Sequence, residues 1–84
     1  MALTRDEIFE QIQDVTAKKL YLEKSEITLE SDFVKDLGAD SLDLVELVIS
    51  FEQIFKVKIP DDEGSRVFLV KDAVDLVETL EANK

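Results

Sequence analysis

Residues 37–55 read LGADSLDLVELVISFEQIF, and this stretch has the strongest helical pattern in the chain. From Asp40 to about Phe55, the polar residues fall on one narrow face at about 100° per residue, and the rest of the circumference is almost entirely apolar. Aspartate is one of the residue types preferred at the N-cap of a helix. The sequence therefore predicts a long amphipathic helix that begins at Asp40 and exposes Ser41 in its first turn.

The apolar residues of this helix divide into two stripes. The larger stripe lies opposite the polar face and is expected to form the core; it comprises Leu44, Leu47, Val48, Phe51 and Phe55. The smaller stripe comprises Leu42, Val45 and Ile49. Glu46 and Glu52 border this smaller stripe, so it is either a surface that docks partner proteins or an apolar contact buried under the segment after Ile59.

A first helix and a long loop precede this segment. Thr4 and Glu7 fit a capping box, and apolar residues at helical spacing continue the pattern from about Arg5 to near Lys19. Residues 21–40 show no sustained period, and the apolar residues that recur among them are Ile27, Leu29, Phe33 and Leu37. We therefore predict a long loop that is pinned by buried side chains and delivers the serine to the surface.

Two more helices are predicted after the central one. Pro60 and the three acidic residues behind it are typical of a helix start, and Gly64 favours a short helix there. A last helix is expected from about Val70 or Lys71 to Glu81, with its inward face formed by Ala73, Val74, Leu76, Val77 and Leu80. The sequence VFLV at its start is β-prone, but no partner strand is predicted.

These patterns predict an all-α fold in a single domain that covers residues 1–84. The architecture expected is a small four-helix bundle with three main helices, one short helix and a long first loop.

Composition limits the classes of function. The chain has 20 acidic and 10 basic residues, which gives a net charge of −10, and residues 25–63 carry most of the excess. Such a field disfavours nucleic acid, whose phosphates need clusters of lysine and arginine, and favours proteins with basic patches. No apolar run is long enough for a membrane span and no secretory signal is readable, so we expect a cytoplasmic chain, with a processed organellar one as the alternative. We also expect a monomer.

The residue types needed for most catalytic sites are missing. The chain has no cysteine and no histidine, which excludes thiol catalysis and removes the commonest general base and transition-metal ligand. No Ser-x-x-Lys pattern occurs either. A calcium loop starting at Asp36 fails because Leu47 stands where a bidentate glutamate is needed, so no metal site is expected. From its position alone, Ser41 is a capping or first-turn serine of the helix.

The runs FVKDLG at residues 33–38, DSLDLVEL at residues 40–47 and IPD at residues 59–61 resemble the acyl carrier proteins of dissociated fatty-acid synthesis. The resemblance covers nearly the whole chain. It implies that Ser41 is esterified by 4'-phosphopantetheine, which a phosphopantetheinyl transferase takes from coenzyme A with Mg²⁺. It also implies a non-catalytic carrier whose arm delivers growing acyl chains, as thioesters, to fatty-acid synthesis enzymes.

The resemblance also implies two surfaces. The partner-binding surface would comprise Asp40, Leu42, Asp43, Val45, Glu46, Ile49 and Glu52. The cavity for the acyl chain would be lined by Val48, Phe51, Ile59 and Val67. The chain departs from the family pattern at Phe68 and Leu69, where relatives usually have polar residues. Two alternatives stay open, namely a carrier of polyketide, aminoacyl or D-alanyl groups and an unmodified acidic helical adaptor.

Overall fold

Four α-helices follow one another in residues 3–84, which are the part of the chain described by the computed structural model. They are α1 (Arg5–Leu20), α2 (Ser41–Phe55), α3 (Asp61–Gly64) and α4 (Val70–Ala82). α1 contacts both α2 and α4, and α3 is a single turn. The predicted all-α fold is confirmed, and the one helical element that the sequence did not predict is a 3₁₀ turn at Lys24–Glu26.

The start of α1 is held from two sides. Thr4 Oγ1 accepts a hydrogen bond from the Glu7 N–H at 3.2 Å, and Glu7 Oε1 accepts one from the Thr4 N–H at 2.8 Å. This reciprocal pair is the predicted capping box. Arg5 Nη1 lies 2.6 Å from Asp75 Oδ1, so the first turn of α1 is tied to α4, and this hydrogen bond is the main cause of the raised pKa of Arg5.

The core lies between the three long helices and is completed by the connecting segments. Its helical members are Ile8 and Ile12 of α1, Leu47, Phe51 and Phe55 of α2, and Val70, Ala73, Val74 and Val77 of α4. The connecting segments add Ile27, Phe33, Leu37, Ala39 and Ile59. Leu29, Leu44 and Val48 are only partly buried and pack against this cluster. Buried side chains therefore pin the long loop as predicted.

The loop before α2 is also fixed through its backbone. Asp32 Oδ1 accepts hydrogen bonds from the N–H groups of Val34 and Lys35, each at 2.9 Å. The Phe33 N–H donates to the Phe68 carbonyl at 3.0 Å. Asp32 pairs with Leu69 in an isolated antiparallel β-bridge. The VFLV segment forms no strand, as predicted, but its Leu69 pairs with a distant loop through this single bridge, which the sequence did not predict.

The hydroxyl of Thr16 is buried in α1 with no hydrogen-bond partner among residues 3–84. A buried hydroxyl without a partner loses its hydration without compensation. We expect Thr16→Val, which keeps the shape and removes the hydroxyl, to raise the free energy of unfolding by about 1 kcal/mol. In a domain of this size that corresponds to a melting temperature about 4–8 °C higher.

Thermal unfolding followed by circular dichroism measures this effect. Thr16→Ser is the control, since it keeps the hydroxyl, removes a methyl group and should lower the melting temperature. A Thr16→Val variant that melts below the wild type would mean that the hydroxyl does have a partner.

Candidate functional site

The N-terminus of α2 is closed by two carboxylates. Asp40 Oδ1 accepts a hydrogen bond from the Asp43 N–H at 2.8 Å, and Asp43 Oδ2 accepts one from the Asp40 N–H at 3.1 Å. Asp40 is therefore the N-cap, as predicted, and the exposed Ser41 is the first residue of the helix. The first intrahelical bond runs from the Leu44 N–H to the Asp40 carbonyl. Within residues 3–84, the N–H groups of Ser41 and Leu42 have no acceptor and lie at the positive end of the helix dipole, which favours an anion there.

The turn that leads into this helix depends on Gly38. Its φ is +76°, a left-handed conformation that L-residues rarely adopt, and a Cβ built on it would meet no atom within 4 Å. Conformation rather than space therefore requires glycine. The flanking Leu37 and Ala39 are buried, and the Ala39 N–H donates to the Phe33 carbonyl at 2.9 Å. The backbone is therefore anchored just before Ser41, and this anchor fixes the position of the exposed serine.

The smaller apolar stripe of α2 is exposed. The exposed fractions are 65% for Leu42, 55% for Val45 and 47% for Ile49. Burial under the segment after Ile59, the alternative left open by the sequence, does not occur. Exposed apolar side chains beside exposed acidic ones give the composition expected of a surface that contacts other proteins.

Two acidic residues of α2 differ in their burial and in the bonds that their carboxylates make. Glu46 is exposed, and its carboxylate lies 3.8 Å from Lys19 Nζ in a loose surface ion pair. Glu52 is half-buried, and its Oε2 accepts a hydrogen bond from the Ile59 N–H at 2.8 Å. Glu52 therefore anchors the segment after α2. One oxygen of its carboxylate is used inside the fold, and the place of Glu52 on the partner surface stays a prediction.

An apolar cavity of about 430 Å³ opens beside α2. Val48, Phe51 and Val67 line it, at three of the four positions expected from the sequence. Ile59 does not; its buried side chain lies under Gly64, where a built Cβ would be 3.4 Å from Ile59 Cγ2. Leu44 also lines the cavity, and it lies three positions after Ser41, about 4.5 Å along the helix axis.

Sequence reasoning missed several residues that border this cavity. Phe33 and Val34 come from the long loop, and Phe68 comes from the segment before α4. For Phe33 the sequence did give a signal, since it is one of the apolar residues that recur along the loop. Phe68 carried one as a large apolar residue at a position where the family resemblance implied a polar one. Neither signal shows which cavity a loop residue faces, because that depends on contacts between distant segments.

Ser41 offers an exposed hydroxyl at the start of α2. A serine hydroxyl needs a neighbouring base to act as a nucleophile, and the sequence contains no histidine. Within residues 3–84, no three acidic side chains are grouped so that they could hold a metal ion. None of the helices in that range combines the length and apolar character needed to span a bilayer.

Comparison with known proteins identifies the family. A family model described as "Phosphopantetheine attachment site" matches residues 10–63. The acyl carrier protein of Rubrobacter xylanophilus is 47% identical over 75 residues, covering 89% of this chain and 93% of the relative. That of Campylobacter hominis is 41% identical over 78 residues, covering 93% and 99% respectively. A solved structure of the acyl carrier protein from Enterococcus faecalis superposes with a TM-score of 0.79 at 26% identity, covering 93% of this chain and 99% of that one. The chain therefore belongs to the acyl carrier proteins, which carry a phosphopantetheine attachment site.

Proposed function

We propose that Ser41 is the residue that carries 4'-phosphopantetheine, and that the arm delivers growing fatty-acyl chains to the enzymes of fatty-acid synthesis. The observation that carries this proposal is the position of Ser41 as the exposed first residue of α2, with an apolar cavity beginning one turn away at Leu44. Reaction at the serine needs access from solvent, and storage of an alkyl chain needs apolar walls nearby. Both conditions meet at this end of α2.

Attachment requires a phosphopantetheinyl transferase to supply the base that this chain lacks. The serine Oγ attacks the phosphorus of coenzyme A that is esterified to the pantetheine part, and its proton passes to the base of the transferase. A new oxygen–phosphorus bond forms, the bond from this phosphorus to the bridging oxygen of the diphosphate breaks, and the adenosine bisphosphate leaves with the electrons of that bond. Mg²⁺ held by the transferase and coenzyme A would neutralise the phosphates. The phosphodiester that results is favoured by the N–H groups of Ser41 and Leu42 at the helix N-terminus. The chain itself supplies only the hydroxyl.

The cavity favours alkyl cargo over polar cargo. Each methylene moved from water into an apolar site contributes about 0.8 kcal/mol. An aminoacyl or D-alanyl group carries an ammonium that would lose hydration there without a partner. The walls provided by Leu44, Val48 and Phe51 therefore support fatty-acyl chains over these two cargoes. Polyketide intermediates, with carbonyl groups along the chain, would gain less from the same walls.

Intact mass spectrometry tests the proposed function against the adaptor alternative. The wild-type chain, incubated with a phosphopantetheinyl transferase, coenzyme A and Mg²⁺, should gain the mass of one phosphopantetheine. An unchanged mass under conditions in which the transferase modifies another carrier would favour the unmodified adaptor. The proposed setting is the cytoplasm and the proposed state a monomer, since a net charge of −10 opposes self-association.

The partner surface is proposed to guide enzymes to the serine through Asp40, Asp43 and Glu46, with Leu42, Val45 and Ile49 as its apolar part. The expected partners are the transferase and synthesis enzymes with basic docking patches. Complementary charge raises the rate of association more than the lifetime of the complex, which suits a carrier that visits many enzymes in turn.

Reversing the charge of Glu46 tests this surface. Glu46→Lys should slow modification by the transferase about tenfold at low salt, because lysine repels a basic docking patch, and the difference should shrink as salt screens the charges. The initial rate of mass gain at two salt concentrations gives the measurement. Glu10→Lys is the matched control, since it makes the same charge change at an exposed position on α1. Equal rates for the two variants at low salt would contradict a localised docking surface.

A further inference from the structure

Phe68 is a large aromatic side chain left mostly in water at the border of the cavity. Its exposed fraction is 63%, although it stands in the lining of an apolar cavity. The backbone at this position is fixed on both sides. The Phe68 carbonyl accepts a hydrogen bond from the Phe33 N–H at 3.0 Å, and the Phe68 N–H donates to Asp72 Oδ2 at 3.1 Å. An exposed ring on a fixed backbone is free to change rotamer without moving the fold.

The exposed apolar residues of the protein gather around this opening. Seven large apolar or aromatic residues in residues 3–84 are exposed, and the four that line the cavity are Val34, Val45, Ile49 and Phe68. Singly scattered exposed apolar residues need no explanation, whereas a cluster around one opening points to a function. We call these four residues the rim. The floor of the cavity, in contrast, consists of buried residues such as Phe33, Leu47 and Phe51.

We propose that Phe68 is a lid over the cavity and a specificity-determining residue for cargo, because its ring folds across the rim when an alkyl chain occupies the cavity. This proposal rests on the proposed function. The ring is the largest side chain of the rim, and turning it inward exchanges its own contact with water for contact with the alkyl chain. An acetyl group is too short to fill the cavity, and an alanyl group is polar. Neither group offers an apolar surface for the Phe68 ring to contact. Phe68 therefore lengthens the lifetime of alkyl thioesters selectively.

The lid is tested by the rate at which hydroxylamine cleaves the carried thioester. Wild type, Phe68→Ser, Phe68→Leu and Ile54→Ser are each loaded by a transferase from octanoyl-, acetyl- or alanyl-coenzyme A. Phe68→Ser should cleave octanoyl about fourfold faster than wild type, or more, which corresponds to uncovering at least one methylene. Its acetyl and alanyl forms should cleave at wild-type rates. Phe68→Leu keeps an apolar cover and should restore most of the protection. Ile54 is exposed on α2 but does not line the cavity, so Ile54→Ser should behave as wild type.

The outcomes separate the lid from the proposed function. If the octanoyl thioester is cleaved equally slowly in wild type and in Phe68→Ser, the lid is overturned, while the proposed storage of the alkyl chain in the cavity is not. Equal losses in Phe68→Ser and Ile54→Ser would also overturn it, because the effect would then follow from general surface polarity. A wild type that fails to load, or whose octanoyl form is as labile as its acetyl form, would contradict the proposed function itself. The melting temperatures of the unloaded variants, expected to be close to that of wild type, show that they fold.

Discussion

Replacing Ser41 by alanine is expected to abolish phosphopantetheine attachment completely, so that the intact mass stays unchanged after incubation with transferase, coenzyme A and Mg²⁺. The reason is chemical, since the variant lacks the oxygen that forms the phosphodiester. The fold should hold. The cap of α2 is formed by Asp40 and Asp43, and alanine is a good helix former, so the free energy of unfolding should change by no more than about 0.5 kcal/mol.

Ser65 provides the matched control for this variant. It is another exposed serine, and its hydroxyl donates to the Asp62 carbonyl at 2.8 Å. Ser65→Ala should load as fully as wild type. Loading of the Ser41→Ala variant, or loss of loading only in Ser65→Ala, would place the attachment at a different residue.

Replacing Phe33 by alanine should have the largest effect on stability. Its ring is 2% exposed and belongs both to the core and to the cavity wall, so its removal joins a new void to an existing one. Deletion of a buried phenylalanine ring lowers the free energy of unfolding by about 3–5 kcal/mol. A small domain has only about 5–15 kcal/mol in total, so the variant should be close to unfolding at room temperature.

Urea unfolding of Phe33→Ala and Val34→Ala tests this expectation. Val34 is the next residue and lines the same cavity, but it is exposed, so its truncation should lower the free energy of unfolding by less than about 1 kcal/mol. Similar losses in the two variants would mean that Phe33 does not anchor the loop that leads to Ser41.

Much of the helical framework was predictable because its signals are local. The cap residues Thr4 and Asp40 lie within three residues of the groups they bond, and the apolar spacing of α1, α2 and α4 is visible along the chain. The bridge between Asp32 and Leu69 was not predictable, because it joins segments that are far apart in sequence. The 3₁₀ turn at Lys24–Glu26 is too short to give a periodic pattern.

The candidate site also has features that local sequence predicts and features that depend on contacts between distant residues. The exposure of Ser41 at the start of α2 follows from the local cap, so the sequence predicted it. The role of Glu52 did not follow from spacing on its helix, because its partner is a backbone N–H seven residues later, after the chain has left the helix. Ile59 was assigned to the cavity from the family resemblance, but the turn into α3 places its side chain under Gly64 instead. Contacts with the segment after α2 therefore cannot be predicted from local patterns and have to be taken from the structure.

Peptide mapping of the protein purified from its native cell tests the central claim most directly. Cleavage after Lys35 and Lys56 releases a peptide that contains Ser41 and Ser50, and its fragment ions separate the two serines. We predict the mass of one phosphopantetheine on the fragments that include Ser41 and none on those that include only Ser50. An unmodified peptide, or the added mass on Ser50, would contradict the account.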